Sequence, residues 1–284
     1  MMNMATAIAC AGCATKPNKM NPLPCGGGFV YEEGMSQPKP DSRHAAKVFP
    51  SPNHGERKGG VPDMILLHYT GMPTGAEALQ RLTNPLSEVS AHYFIWEDGG
   101  ILQLVPEARR AWHAGVASWN GDSDINSRSI GIEIVNPGHE GGSPDFAPEQ
   151  IEAVIALCAD IRSRNIIPQH RVLAHSDVAP ARKCDPGEKF PWEALAARGV
   201  GHFVKPAPIS GGRFFALGDE GQPVQALQAM FAIYGYGISV TGVFDQATEQ
   251  VVRAFQRHFR QERVDGIADA STITTLRDLI AARG

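Results

Sequence analysis

Three residues that stand far apart in the chain, His68, His175 and Asp185, have the side chains to hold a catalytic zinc ion. Two imidazoles and one carboxylate suit that metal and leave a fourth tetrahedral position for water, whose pKa zinc brings down to about 7. Such a centre hydrolyses. His68 follows the apolar run Met64-Ile65-Leu66-Leu67, which reads as a buried strand. His175 and Asp185 are joined by a loop carrying Pro180 and Pro186, each of which fixes φ and stiffens the connection.

A hydrolytic metal needs a partner that moves protons. In the segment 129–135 the isoleucines 130, 132 and 134 alternate, so a strand puts them on one face and Gly131 with Glu133 on the other. A carboxylate beside a glycine on a sheet face has room for substrate, which makes Glu133 the candidate general base; the competing reading is a solvated strand edge. Lys183, two positions before Asp185, is either a loop lysine or a cation set near the oxygen where negative charge develops. Trp112, His113 and Trp119 are candidate walls of a substrate cleft or core aromatics, whereas His92 on a strand has a structural role. Ser176 lacks the G-x-S-x-G elbow of a nucleophile, and no H-E-x-x-H helix marks a zinc peptidase.

Positioning these groups requires a sheet. Strand-like runs at 64–69, 92–96, 101–105, 129–135 and 172–174 are interleaved with helical patterns, among them Ile151, Val154, Ile155, Cys158 and Ile161 after Pro148. The expected class is α/β, a mixed central sheet flanked by helices, plus a small C-terminal three-helix domain. Residues 1–61 read as a signal-like segment and an extended arm, with Pro and Gly along 16–60 ruling out regular structure there. The catalytic domain is expected over 62–200 and the bundle over 217–284, held apart by a linker over 201–216. The bundle repeats G-x-x-D-x-x-T at Gly242 and Gly266, with Asp245 and Asp269 placed to cap helices.

Composition narrows the partners. A net charge of −4 lacks the basic footprint of a nonspecific nucleic-acid binder. No stretch reaches the roughly 18 uninterrupted apolar residues of a membrane helix. Five cysteines are too few and too irregular for a disulfide framework; Cys158 reads as a core thiol and Cys184 as a filler beside Asp185.

The segments LLHYTGMP at 66–73, VSAHYFIWEDGGILQLVPE at 89–107, AWHAGVASWNG at 111–121 and NSRSIGIEIVNPG at 126–138 precede the His175 to Gly187 loop. In this order the five resemble the zinc-dependent N-acetylmuramoyl-L-alanine amidases that share a fold with the animal peptidoglycan-recognition proteins, over about 62–192. The resemblance implies zinc on His68, His175 and Asp185, a base at Glu133 and a transition-state cation at Lys183. Trp112, His113, Asn126 and Arg128 are the candidate substrate contacts. Some relatives carry Tyr where this chain has Ala91, so a mechanism built on that tyrosine does not carry over. The C-terminal repeat, with Gln225 to Gln228 and Ala254 to Gln256, resembles the peptidoglycan-binding domain appended to many cell-wall hydrolases.

The implied activity is cleavage of the amide between N-acetylmuramic acid and L-alanine, with peptidoglycan or muropeptides as partner. The alternative is a noncatalytic peptidoglycan-recognition protein. Cys10-Ala11-Gly12-Cys13 has the form of a lipoprotein cleavage box, although Cys10 stands where Leu is usual and no basic residue precedes the apolar stretch. The expectation is a cell-envelope protein, periplasmic or lipid-anchored through Cys13; the alternative is a cytoplasmic one.

Overall fold

The computed structural model describes residues 38–212 and 214–283; Cys10, Cys13, Cys25 and the signal-like segment lie outside them. In chain order the strands and helices are β1 (Lys47–Val48), β2 (His54–Glu56), β3 (Met64–Tyr69), α1 (Gly75–Thr83), β4 (Tyr93–Ile95), β5 (Ile101–Gln103), β6 (Arg109–Ala111) and α2 (Ile125–Arg128). They continue with β7 (Ser129–Ile134), α3 (Pro148–Arg164), β8 (Val172–Ala174), α4 (His175–Val178), α5 (Trp192–Ala197), α6 (Gln222–Tyr234), α7 (Gln246–Phe259) and α8 (Ala270–Ala282).

Six strands form one mixed sheet in the order β1-β5-β4-β7-β3-β8, antiparallel only between β4 and β5. The arm is not free of regular structure from residue 38 on: β1 adds an edge strand to β5, and β2 pairs antiparallel with β6. Lys47–Val48, His54–Glu56 and Arg109–Ala111 carry no apolar run to mark them as strands, and their pairing depends on segments distant in the chain.

The central strands alternate as their sequences dictate. Ile65 and Leu67 of β3 join Ile130, Ile132 and Ile134 of β7 on the face covered by α3, whose Ile151, Val154, Ile155, Cys158 and Ile161 are all buried there. Met64 and Leu66 point the other way, and the C-terminal bundle covers them. They share one apolar core with Trp119, Leu173, Leu227, Phe231, Tyr234, Phe255 and Phe259.

The expected separation of the bundle is therefore corrected. Residues 201–210 do run without helix or strand, but the chain folds back, and the linker itself is pinned where the Ala207 N–H meets Thr275 Oγ1 and the Ser271 hydroxyl donates to Ala207 O. A Pro- and Gly-rich composition reports backbone irregularity; it says nothing about whether the flanking apolar faces match.

Inside the bundle the repeat has a mechanical explanation. Gln228 Oε1 accepts the N–H groups of Thr241 and Gly242 while its amide donates to Thr248; Gln256 treats Asp265, Gly266 and Thr272 in the same way. Gly242 and Gly266 sit at φ +80° and +75°, where a side chain would strain the turn. Asp245 and Asp269 cap α7 and α8 by accepting from the Thr248 and Thr272 backbone N–H groups.

A chain ending near Lys205 would strip cover from Met64, Leu66, Trp119 and Leu173, each worth about 1.5–3 kcal/mol when buried. The sum is comparable to the whole stability of a typical domain, about 5–15 kcal/mol. Such a chain is expected to bind a hydrophobic dye and melt without a cooperative transition; a sharp melt at the full-length temperature would contradict this account.

Candidate metal centre

Parallel pairing brings the site together at the C-terminal ends of neighbouring strands, where ligands of open α/β sheets gather. His68 pairs in register with Glu133 across β3 and β7, and Leu67 pairs with Ala174, so His175 emerges one position beyond β8. The loop then returns Asp185: its carbonyl accepts the Ser176 N–H at 3.1 Å, while the Arg182 and Lys183 N–H groups fold back onto Ala179 O. Arg182 ties this loop to the neighbouring segment by donating to Ala114 O and Val116 O.

Three atoms converge. His68 Nδ1 and His175 Nδ1 are 2.9 Å apart, and they lie 3.1 and 2.9 Å from Asp185 Oδ2. The outer nitrogens decide where the protons are. His175 Nε2 faces Ala114 O at 3.0 Å, and a carbonyl only accepts, so Nε2 carries a proton and Nδ1 is the nitrogen turned inward. Ser129 donates its hydroxyl to Ile125 O, so its oxygen accepts from His113 Nε2. His113 Nδ1 then accepts from His68 Nε2 at 3.1 Å, which in a neutral ring leaves His68 Nδ1 bare.

Two imidazole Nδ1 atoms and a carboxylate oxygen thus face one another at close range. A cation satisfies that arrangement, and the nitrogen-and-oxygen donor set fits zinc. Electrostatics agrees: burial, reinforced by His175, lowers the His68 pKa to about 4, so the ring is neutral at physiological pH. Burial alone would raise Asp185, but His175 and His68 outweigh it and hold the carboxyl well below its usual range.

Glu133 lies beside this cluster with Oε2 buried and without a hydrogen-bond partner among the described residues. Burial, and then the charge of Asp185, push its pKa well above the ordinary glutamate value, while Lys183 pulls it back. Lys183 is half-buried, with its charge close enough to act on both Glu133 and His68.

The other candidates fall elsewhere. His113 is buried behind His68 as its hydrogen-bond partner, and its ring occupies the space over Gly131, where a Cβ would come within 2.5 Å. The glycine makes room for His113 and not for substrate. Asn126 is also buried, its Oδ1 accepting from the His113 and Ala114 N–H groups, so it positions the strip that meets both His68 and His175. Arg128 pairs with Asp63 and Asp122 at the opposite end of β7, roughly 16 Å along the strand from Glu133, and is removed from the substrate set. Trp112 is half-buried beside Gly55, and Trp119 is fully buried against Tyr236. His92 is structural as expected, accepting the Gly131 N–H. Cys158 is a buried core thiol, and Cys184 Sγ meets the Tyr69 hydroxyl at 3.1 Å.

Residues 58–188 match the family described as N-acetylmuramoyl-L-alanine amidase, and residues 220–276 match a putative peptidoglycan binding domain. The N-acetylmuramoyl-L-alanine amidase AmiD of Escherichia coli is 33% identical, an alignment covering 99% of this chain and 97% of that protein. The solved complex of AmiD with anhydro-N-acetylmuramic acid-L-Ala-D-gamma-Glu-L-Lys superposes with a TM-score of 0.67 at 34% identity, over 80% of this chain and 92% of that one. AmpDh3 of Pseudomonas aeruginosa, in complex with an anhydromuramic pentapeptide, gives 0.65 at 31% identity over 80% and 94%. Related along nearly its whole length to one such enzyme and matching the family where its three convergent donors lie, the chain belongs to the N-acetylmuramoyl-L-alanine amidases.

Proposed function

We propose that this amidase works as a zinc hydrolase, with His68, His175 and Asp185 as the protein ligands, Glu133 as general base and Lys183 as a cation at the developing oxyanion. The observation that carries the reading is the convergence of two imidazole Nδ1 atoms and a carboxylate oxygen within 3.1 Å. Zinc bound there supplies a Lewis acid that activates water and polarises the scissile carbonyl. Glu133 accepts the proton of the attacking water and returns it to the nitrogen of L-alanine as the amide bond breaks. Its raised pKa suits both halves of that cycle: a poorly solvated carboxylate binds a proton readily, and a carboxylic acid in the same place donates it. Lys183 lies near enough to share the negative charge that collects on the carbonyl oxygen. A recognition protein without chemistry would gain nothing from a carboxylate beside the cluster whose Oε2 is buried and, among the described residues, without a hydrogen-bond partner.

The anhydromuramyl peptides bound to the two relatives support peptidoglycan fragments as the substrate class. We extend the reading to a cell-envelope location with a lipid on Cys13, supported by the Cys10-Ala11-Gly12-Cys13 sequence and by the C-terminal match to a peptidoglycan binding domain. Cys13→Ser should then move the protein from the membrane fraction to the soluble one. Recovery of chains retaining Met1 from the cytosol would count against it.

Loss of one ligand should empty the centre. His175→Ala is expected to purify without stoichiometric zinc and to release no muramyl carboxyl or L-alanine amine termini from sacculi, as read by mass spectrometry. Full activity in a metal-free His175→Ala protein would sink the zinc assignment.

Glu133→Gln separates holding the metal from moving protons. It is expected to keep its zinc and lose about 10²-fold to 10⁴-fold in kcat. Loss of zinc in this variant would instead make Glu133 a ligand.

A further inference from the structure

The turn that presents His175 is held by a buried carboxylate that belongs to neither the ligand set nor the general base. Asp177 Oδ2 accepts the Ala174 N–H at 2.8 Å, satisfying a free donor where β8 becomes α4. This bond fixes the angle at which the chain enters the helix, and with it the direction of His175, the first helical residue.

Asp177 itself is fully buried, and among the described residues its side-chain donors all come from the C-terminal bundle. The Tyr236 hydroxyl donates to Oδ1 at 2.8 Å, and His258 Nδ1 donates to Oδ2 at 2.7 Å. Burial and the neighbouring carboxylate keep the Tyr236 phenol protonated and hence a donor. A buried carboxylate robbed of a donor is costly, so it shifts toward whatever partner remains, and the Ala174 turn shifts with it.

The bundle grips the other end of the same segment. Gln261 Nε2 donates to Phe190 O at 2.7 Å, and Trp192 stacks on the His258 ring with centroids 3.7 Å apart. The stretch from His175 to Trp192, which includes Asp185, is thus clamped at both ends by α7 and the residues just after it.

We propose that Tyr236 and His258 are positioning residues of the metal centre, so that through Asp177 the C-terminal bundle sets the orientation of His175 and the affinity of the site for zinc. This rests on the zinc reading above. It gives the bundle a task inside the reaction that is independent of any contact with polymer.

The test uses the full chain carrying Tyr236→Phe, His258→Ala or His258→Asn; the last keeps a donor nitrogen where Nδ1 stood. Zinc affinity is measured by competition with a chromogenic chelator, alongside sacculus pelleting, metal-free melting and hydrolysis of a soluble muramyl peptide at limiting and excess zinc. Tyr236→Phe and His258→Ala are expected to bind zinc roughly tenfold or more weakly, the range seen when support around a metal site is removed. Both should lose activity at limiting zinc and regain it in excess, with pelleting unchanged and His258→Asn close to the parent. Zinc affinities within twofold of the parent, with only the melting temperature lowered, would reduce the node to a docking contact and overturn the proposal. If His258→Ala does not fold, Tyr236→Phe, which deletes a single hydroxyl, decides the matter. An unsubstituted chain that binds no zinc is the separate result that removes the metal reading and this inference with it.

Discussion

A serine hydroxyl that gives its proton to a backbone carbonyl governs the tautomer of the central histidine, His68. Because Ser129 donates to Ile125 O, it accepts from His113, which in turn accepts from His68 and so leaves His68 Nδ1 without a hydrogen. The second imidazole is set independently by Ala114 O. Both lines run through one strip of chain, residues 113 and 114, whose N–H groups are held by the single oxygen of Asn126. Outer partners of this kind set ligand tautomer and ring angle, which is why a metal site is as much its surroundings as its ligands.

The sheet supplies the precision that loops alone would lack. Glu133 and His68 are register partners on adjacent strands, and His175 follows the strand on the other side of His68. The spacing between Glu133 and His68 is therefore set by backbone hydrogen bonds that the buried isoleucines on the far face keep in register. On the near face the apolar residues stop at Leu66, and the next inward position is His68. Burial extends past the apolar layer into the ionisable one, and this is what lowers His68 and raises Glu133.

The bundle joins two kinds of structure in one unit. Its interior is a repeated Gln and Thr clasp that closes each turn onto the helix before it. Its outer apolar face continues the core of the catalytic half, so binding domain and sheet are packed as parts of one body. An arrangement of this kind holds any polymer contact made by the bundle at a fixed attitude to the metal centre.

Residue types and their local periodicity determined much of this protein. The donor set His68, His175 and Asp185, the inward-facing Glu133, the α3 stripe and the helix caps at Asp245 and Asp269 all follow from side-chain chemistry and from periods of 2 or 3.6 residues. The strands β1, β2 and β6 did not, since Lys47–Val48, His54–Glu56 and Arg109–Ala111 hold no apolar run and their pairing depends on segments distant in the chain. The reassignment of His113, Asn126 and Arg128 likewise required the fold. Whether a polar side chain meets a substrate, a ligand or a carboxylate at the far end of a strand depends on partners tens of residues away. The docking of the bundle belongs to the same class, because two apolar faces that each read as local cores become one only when their shapes meet in space.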